Sequence, residues 1–554
     1  MGVTTKTDSL RSRLSYQPQE LAFGTSGRRG KVVDLTQLEI YLNALAELEY
    51  LQSLPLAEGG IQPGDEFYFA YDLRPSSSDF VKQEAGRGEI AQAIVQAIGD
   101  AGMQAVNLGR IPTPALAGFA LSRNKGSIMV TGSHIPFERN GYKTNSSRGE
   151  LLKQQEAPIN QQVRQVRERL YAQPWDQSLF DERGMLKCGH QALPGEHGEA
   201  RAAYIERFTS FFAGSTLNGK RILVYQHSAV GRDLLVEILE RLGAQVVKGG
   251  RSDTFVPIDT ENIDAAELAV IQGLADEAAA GSGQLHAVVS TDGDSDRPLI
   301  LGVDPLTAGV HFFAGDLVGM VVAEYLQADA VVVPISCNDA IDRGKLAPVV
   351  EPKTRIGSPF VIAGMEAALA KGKKRVCGWE PNGGFLTGSP MARNGAVLQP
   401  LLTRDAGLPI LGVLFAAQHN GLSLIDLFAR LPKRFSRAAL LKHFPRATAL
   451  KIVGRFSPPH AHAAAAAAAA IRQDLALFFT PALGFASVSQ VDYTDGVRIL
   501  FANGEVAHVR PSGNADELRI YAVADTQSRA DAIAAMGVAE PAGILRKMEK
   551  AVDD

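Results

Sequence analysis

The chain has 554 residues, 45% hydrophobic and 21% charged, with a formal net charge of −4. This balance excludes a disordered, collagen-like or membrane-embedded class. The absence of any run of five or six like charges excludes a nucleic-acid arm or an acidic tail. At about 100–200 residues per domain, the length predicts about three to five domains.

In chain order, β-rich runs alternate with helical stretches. FYFAY (67–71), SIMV (127–130), RILVY (221–225), HAVVS (286–290) and AVVVPIS (330–336) read as strands. EIAQAIVQAIGDAG and RDLLVEILERLG place apolar residues at helical spacing and close on Gly102 and Gly243. That rhythm predicts α/β units, layered sheets covered by helices. The polar segment 173–198 reads as a first linker, and the alanine-rich stretch 462–470 as a helix without chemistry. Beyond it, 485–513 reads as short strands with turns at Thr494-Asp495-Gly496 and Asn503-Gly504, an antiparallel pattern that predicts a last domain of different architecture.

Cys188, Cys337 and Cys377 are too scattered for a CxxC metal site and too few for a disulfide framework, which suits a reducing compartment. The start, MGVTTKTDSL, lacks the apolar core of a secretory signal. The longest apolar stretch, 463–471, is far short of the ~20 residues that span a bilayer. A soluble cytoplasmic protein with no membrane or nucleic-acid partner is expected.

The sharpest chemical signal is Thr291-Asp292-Gly293-Asp294-Ser295-Asp296-Arg297, directly after a strand. Three carboxylates at alternate positions can converge on one hard cation. An EF-hand is excluded, because its sixth and twelfth positions hold Arg297 and Val303. An Asx-rich turn would also produce this loop, but the carboxylates repel one another without a cation. A second loop, SIMVTGSHIPFERNGYK, carries Ser133 as a nucleophile candidate, with His134 or Lys143 as proton or charge partner; GxSxG is absent.

Two segments look built for anions: the glycine-rich 23–30 with Arg28 and Arg29, and Arg510-Pro511-Ser512-Gly513-Asn514. Neither fits a nucleotide-binding fingerprint. Finally, Gly378-Trp379-Glu380-Pro381-Asn382-Gly383-Gly384-Phe385 places a carboxylate and an amide where they could hold adjacent sugar hydroxyls, though turn chemistry explains it equally.

Together and in order, FGTSGRRG, the serine loop, DGDSDR, the EPNGG loop and RPSGN resemble the α-D-phosphohexomutase family, from Phe23 to about Tyr521. The resemblance implies four domains around a central cleft: three α/β units with mixed sheets and a C-terminal antiparallel sheet with helices. In this sequence they are set at 1–197, 198–309, 310–432 and 433–554. It implies interconversion of hexose 6-phosphate and hexose 1-phosphate, of mannose and/or glucose, with hexose 1,6-bisphosphate as intermediate and activator. Ser133 would carry the phosphoryl group and Lys143 the general acid/base role, with His134 supporting the loop and Arg29 adding positive charge. Mg²⁺ would be held by Asp292, Asp294, Asp296 and the phosphorylated Ser133. Arg297, Glu380, Asn382 and Gly383 would hold substrate, and Arg510, Ser512, Gly513 and Asn514 its distal phosphate.

The sequence departs from the family at Gly132 and Ile135, at Asn382 and Gly384 where serine and histidine are usual, at Asn514-Ala515, and at Ser358 near an expected histidine. These departures leave substrate preference open. Rival readings are a phosphoglucosamine mutase, a Mg²⁺-dependent sugar phosphatase and a non-catalytic phosphosugar-binding protein; oligomeric state is not legible.

Overall fold

Four sheets of four to six strands follow one another along the chain in the computed structural model, which describes residues 8–553 except 25, 262, 459–463 and 513–515. The first has the order Arg28–Lys31, Arg139–Ser146, Ser127–Val130, Glu66–Tyr71, Gln104–Asn107. Its central strands Glu66–Tyr71 and Ser127–Val130 are parallel. All four residues of Ser127–Val130 are buried, as expected of a strand covered on both faces. The second sheet centres on Arg221–His227 and Ala287–Thr291, the third on Ala330–Val332 and Val376–Trp379, again parallel pairs.

The fourth sheet is antiparallel throughout, Phe435–Lys442 beside Glu517–Ala524, Val506–Pro511, Val497–Phe501 and Val488–Asp492. Val497–Phe501 alternates buried and half-buried residues, the period of a strand with one face on a core. The change of architecture predicted near the C-terminus is therefore present. So are the helices Ile90–Asp100, Arg232–Arg241 and, in the alanine-rich stretch, Ala464–Ala476.

Two elements differ from expectation. The run AVVVPIS forms a strand only over Ala330–Val332, since Pro334 has no N–H to continue a ladder. The polar segment 173–198 is a strap rather than a free linker. Its Phe180 and Leu186 are buried in the first core, and Leu186 N donates to Gln37 Oε1 at 2.8 Å.

One topological feature positions the site. In each of the first three sheets a central strand, parallel to one neighbour, turns back through a single loop into an antiparallel partner. Ser127–Val130 passes into Arg139–Ser146, Ala287–Thr291 into Pro298–Val303, and Val376–Trp379 into Phe385–Thr387. The serine, aspartate and sugar loops occupy these equivalent connections. The RPSGN loop occupies the return from Val506–Pro511 into Glu517–Ala524. A continuous apolar core joins the first three sheets, with Met129, Ile222, Val331 and Trp379 all in it, whereas the fourth sheet packs a core of its own around Phe444, Ile499 and Ile520.

Candidate active site

The serine loop is held in an unusual backbone conformation. Ser133 has φ +55°, rare for a residue with a side chain, and its N–H donates to Thr131 Oγ1 at 2.7 Å. Buried Arg74 staples the loop by donating to the carbonyls of Ser133, Ile135, Pro136 and Arg139. Local strain of this kind persists only where the surroundings over-determine it.

Across from the serine, Asp292, Asp294 and Asp296 are fully buried, and one oxygen from each lies within 4.8 Å of the others. Ser133 Oγ donates to Asp292 Oδ2 at 2.6 Å. Lys143 Nζ, buried on the strand that returns from the serine loop, donates to Asp294 Oδ2 and Asp296 Oδ2, each at 2.7 Å. Thr113 Oγ1 adds a second donor to Asp294 Oδ2 at 2.6 Å. Asp294 Oδ1 and Asp296 Oδ1 are left buried without a hydrogen-bond partner. Converging carboxylate oxygens, two of them orphaned, are the donor set of a hard divalent cation.

The electrostatics are divided among the three. Burial and the two neighbouring carboxylates push Asp292 well above the usual carboxylate range. Burial works against Asp296 too, but Arg404, Lys143 and Arg297 outweigh it and hold it low. Asp294 is also held low: burial and Asp296 oppose its ionisation, and Lys143 and Thr113 prevail. His134 Nδ1 lies 3.4 Å from Ser133 Oγ, and burial followed by the field of Arg297 drives its pKa well down, so the ring is neutral. Arg29 donates to the carbonyls of Arg28 and Tyr142, and burial, partly offset by Asp294, draws it down to about 10. Its neighbour Arg28 points elsewhere, into a buried pair with Glu47 at 2.6 Å.

In the sugar loop, Glu380 and Asn382 are buried. Asn382 Oδ1 accepts from Gly384 N at 2.9 Å and its carbonyl accepts from Thr260 Oγ1 at 2.9 Å, so this side chain also shapes its own turn. Gly383 has φ +83° and packs against Gly315, where a Cβ would fall 2.2 Å from Gly383 N. Arg297 approaches Asp292 at 3.8 Å and Asp296 at 3.6 Å. Glu380 meets the aspartate loop through a residue absent from the sequence candidates: Arg404 Nη1 donates to Glu380 Oε2 at 3.0 Å while Nη2 donates to Asp296 Oδ2 at 2.8 Å. Glu261, beside Thr260, is a second such residue. Burial and Asp259 push it up to about 7, and it feels Arg519, Arg297 and Glu380.

Arg510 stands apart from this cluster. On the fourth sheet, its Nε lies 3.5 Å from Asp495 Oδ1, and Asp495 Oδ2 accepts from Ile356 N at 3.0 Å. Arg446 Nη1 donates to the Ser512 carbonyl at 3.3 Å. Gly513 and Asn514 lie outside the described residues.

Comparison with known proteins decides the family. Residues 20–170, 314–435 and 458–540 match the phosphoglucomutase/phosphomannomutase alpha/beta/alpha domain I, alpha/beta/alpha domain III and C-terminal domain. A phosphomannomutase of Sinorhizobium fredii is 37% identical, covering 93% of this chain and 98% of its own. The chain belongs to the phosphoglucomutase/phosphomannomutase family. A phosphomannomutase of Salmonella muenchen is 36% identical over 92% of this chain and 93% of its own. The fold is shared with a phosphoglucomutase/phosphomannomutase family protein of Burkholderia thailandensis, at TM-score 0.65 and 16% identity, covering 97% of this chain and 98% of that one.

Two departures from the phosphoglucomutase/phosphomannomutase pattern have a physical reason in the structure. A Cβ on Gly132 would sit 2.6 Å from Arg74 Cζ, so an alanine there would require the stapling guanidinium to shift. A Cβ on Gly384 would sit 2.4 Å from Arg404 Cδ. Ser358 Oγ, at the third departure, donates to Glu150 Oε2 at 2.6 Å, and Thr403 Oγ1 donates to Glu150 Oε1 at 2.7 Å. Arg74, Glu150 and Arg404 carried no local sequence signal.

Proposed function

We propose that this chain is a phosphohexomutase that interconverts hexose 6-phosphate and hexose 1-phosphate, with mannose phosphate as the first substrate class to test. The carrying observation is Ser133 Oγ in contact with a buried aspartate triad whose free oxygens await a cation and whose other oxygens are held by Lys143. The two relatives compared above, 37% and 36% identical, bear the name phosphomannomutase.

Ser133 then carries the phosphoryl group and passes it to the free hydroxyl of the sugar monophosphate. The Oγ–P bond breaks and a new O–P bond forms; the ammonium of Lys143, to which we assign the acid/base role, gives a proton to the departing Oγ and regains one from the attacking hydroxyl. Asp292, Asp294 and Asp296 would hold Mg²⁺, which draws charge from the phosphoryl oxygens. Arg29 and Arg297 supply further positive charge, while His134, being neutral, shapes the loop rather than adding to it. Glu380, Asn382 and Gly383 receive the sugar in two orientations, because the bisphosphate must turn end for end before Ser133 is rephosphorylated. Arg510, Ser512, Gly513 and Asn514 hold the phosphate that is not reacting. The reaction needs a phosphosugar alone, with hexose 1,6-bisphosphate to prime Ser133, and fits a cytoplasmic enzyme. Among the described residues no helix is long and apolar enough to cross a membrane.

The test pairs intact-mass measurement with an assay on mannose 1-phosphate, glucose 1-phosphate and glucosamine 6-phosphate. A covalent phosphate on Ser133 with turnover of the mannose or glucose substrate supports the reading. Preference for glucosamine 6-phosphate reassigns the substrate, and release of inorganic phosphate without a phosphoenzyme makes it a phosphatase.

A further inference from the structure

Arg404 is the penultimate residue of the strand Leu401–Asp405 and is only 3% exposed. Its guanidinium is divided between two loops of different sheets. Nε and Nη2 donate to Asp296 Oδ2 at 3.1 and 2.8 Å, and Nη1 donates to Glu380 Oε2 at 3.0 Å. Its aliphatic stem lies across Gly384, where a Cβ would come within 2.4 Å of Cδ, 2.7 Å of Cγ and 3.0 Å of the arginine's own Cβ. Gly384 is absent from the positive-φ positions, so contact with Arg404, not backbone conformation, excludes a side chain there. Where family members usually place a histidine, this chain has given the room to an arginine from another strand.

We infer that Arg404 is a positioning residue that couples the cation site to the sugar site, with Gly384 as its obligatory counterpart. The inference rests on the phosphohexomutase reading for what Asp296 and Glu380 hold. With Asp296 Oδ2 taken by Arg404 and Lys143, Oδ1 is the oxygen left for a cation, and it is the atom found unpartnered. With Oε2 fixed, Glu380 presents Oε1 to a sugar hydroxyl. Anything that reorients Asp296, cation binding included, is transmitted through one rigid planar fork to Glu380. A lysine would keep the charge and lose the fork, because one ammonium cannot reproduce the two-sided geometry. Removing the guanidinium altogether would leave Glu380 and Asp296 as buried carboxylates deprived of a shared counter-ion, a costly state.

The experiment measures coupling in the full-length protein. Calorimetric affinity for mannose 1-phosphate is determined with and without saturating Mg²⁺, for wild type and Arg404→Lys, alongside steady-state KM and kcat. The expected result is that Mg²⁺ tightens sugar-phosphate binding in wild type and that this enhancement shrinks at least about tenfold in Arg404→Lys, the order of effect lost with a metal's supporting contacts. KM should rise more than kcat falls. An Arg404→Lys protein with wild-type coupling and KM overturns the inference while leaving the mutase reading intact; a wild type that neither binds nor turns over hexose phosphates removes both. Gly384→Ala gives an independent check by thermal melting. It should destabilise the wild-type background but have no added effect in Arg404→Ala, and an equal loss in both backgrounds would also overturn the pairing.

Discussion

The first three sheets and the fourth are held together differently. The first three share one apolar core and bury their carboxylates against Lys143, Arg297 and Arg404, with Arg404 joining the aspartate and sugar loops. The fourth has a separate core and meets its neighbour through polar contacts: Arg355 Nε on the Thr494 carbonyl at 3.2 Å, Ile356 N on Asp495, and buried Arg434 between Asp339 and Asp525. The proposed reaction centre, which must balance several buried charges, sits on the sheets that share a core. The group assigned to grip the far phosphate sits on the part with fewer ties, which suits repeated loading and release.

The largest expected break in this contrast is Ser133→Ala. Turnover should fall roughly a thousandfold or more, as when other nucleophiles are removed, with the fold preserved. Near-normal rates with freshly added bisphosphate would take the phosphoryl group away from Ser133. Asp296→Asn should cost both activity and stability, because it strips a counter-ion from Lys143 and Arg404 together. Breaking such buried pairs costs about 3–5 kcal/mol, read as a lower melting temperature, and an unchanged melt would show that the cluster is not under charge control.

Arg510→Ala should behave differently: a melting temperature near wild type, but kcat/KM lower by about ten- to a hundredfold in both directions, the worth of a hydrogen bond to a charged group. Steady-state kinetics in one direction only being affected would remove Arg510 from the phosphate clamp. Asp495→Asn sharpens the same point. Asp495 now occupies Arg510 with an anion of the chain's own, so removing its charge should lower KM by roughly two- to fivefold, as expected of a partly exposed pair. A raised KM would mean that Asp495 helps to build the clamp.

The smallest effect is pH-dependent and confined to the fourth sheet. His508 is buried beside Tyr521, donates to the Asp495 carbonyl, and faces Arg498, Arg510 and Asp495; burial first and the two arginines next draw it down to about 4. Because the folded value lies below the ordinary 6.5, its contribution to stability is present above pH 6.5 and lost as pH falls through 4. Melts of wild type between those values should slope more steeply than melts of His508→Gln, and equal slopes would acquit His508.

What the sequence disclosed about the site follows from how each group is encoded. Ser133 and the three aspartates sit within two short loops, with Lys143 on the strand that leaves one of them, and a loop must spell out its own turn, so residue type and spacing are visible together. The strands beside them were legible because apolar runs between turn residues have few other uses. Arg404 was not, since an arginine within LLTRD looks like any strand-end cation and its partners lie 108 and 24 residues away. The nearest signal was negative: the bare Gly384 in the sugar loop, a vacancy whose filler only the fold could name. Arg74 and Glu150 escaped for the same reason, and Gly132 marked Arg74 in the same indirect way. The strap 173–198 was read as loose because its polar residues outnumber Phe180 and Leu186, the two that anchor it.

The equivalent loops of the first three sheets also set the order in which the protein can become active. Each loop can form with its own sheet, from contacts close in sequence. The charge cluster cannot, since Ser133 meets Asp292 across 159 residues and Thr403 meets Glu150 across 253. Closing such separations comes late, after the individual sheets have collapsed. During refolding, secondary structure should therefore return well before the affinity for a divalent cation, and a chain arrested between the two would look folded by circular dichroism while having no centre at all.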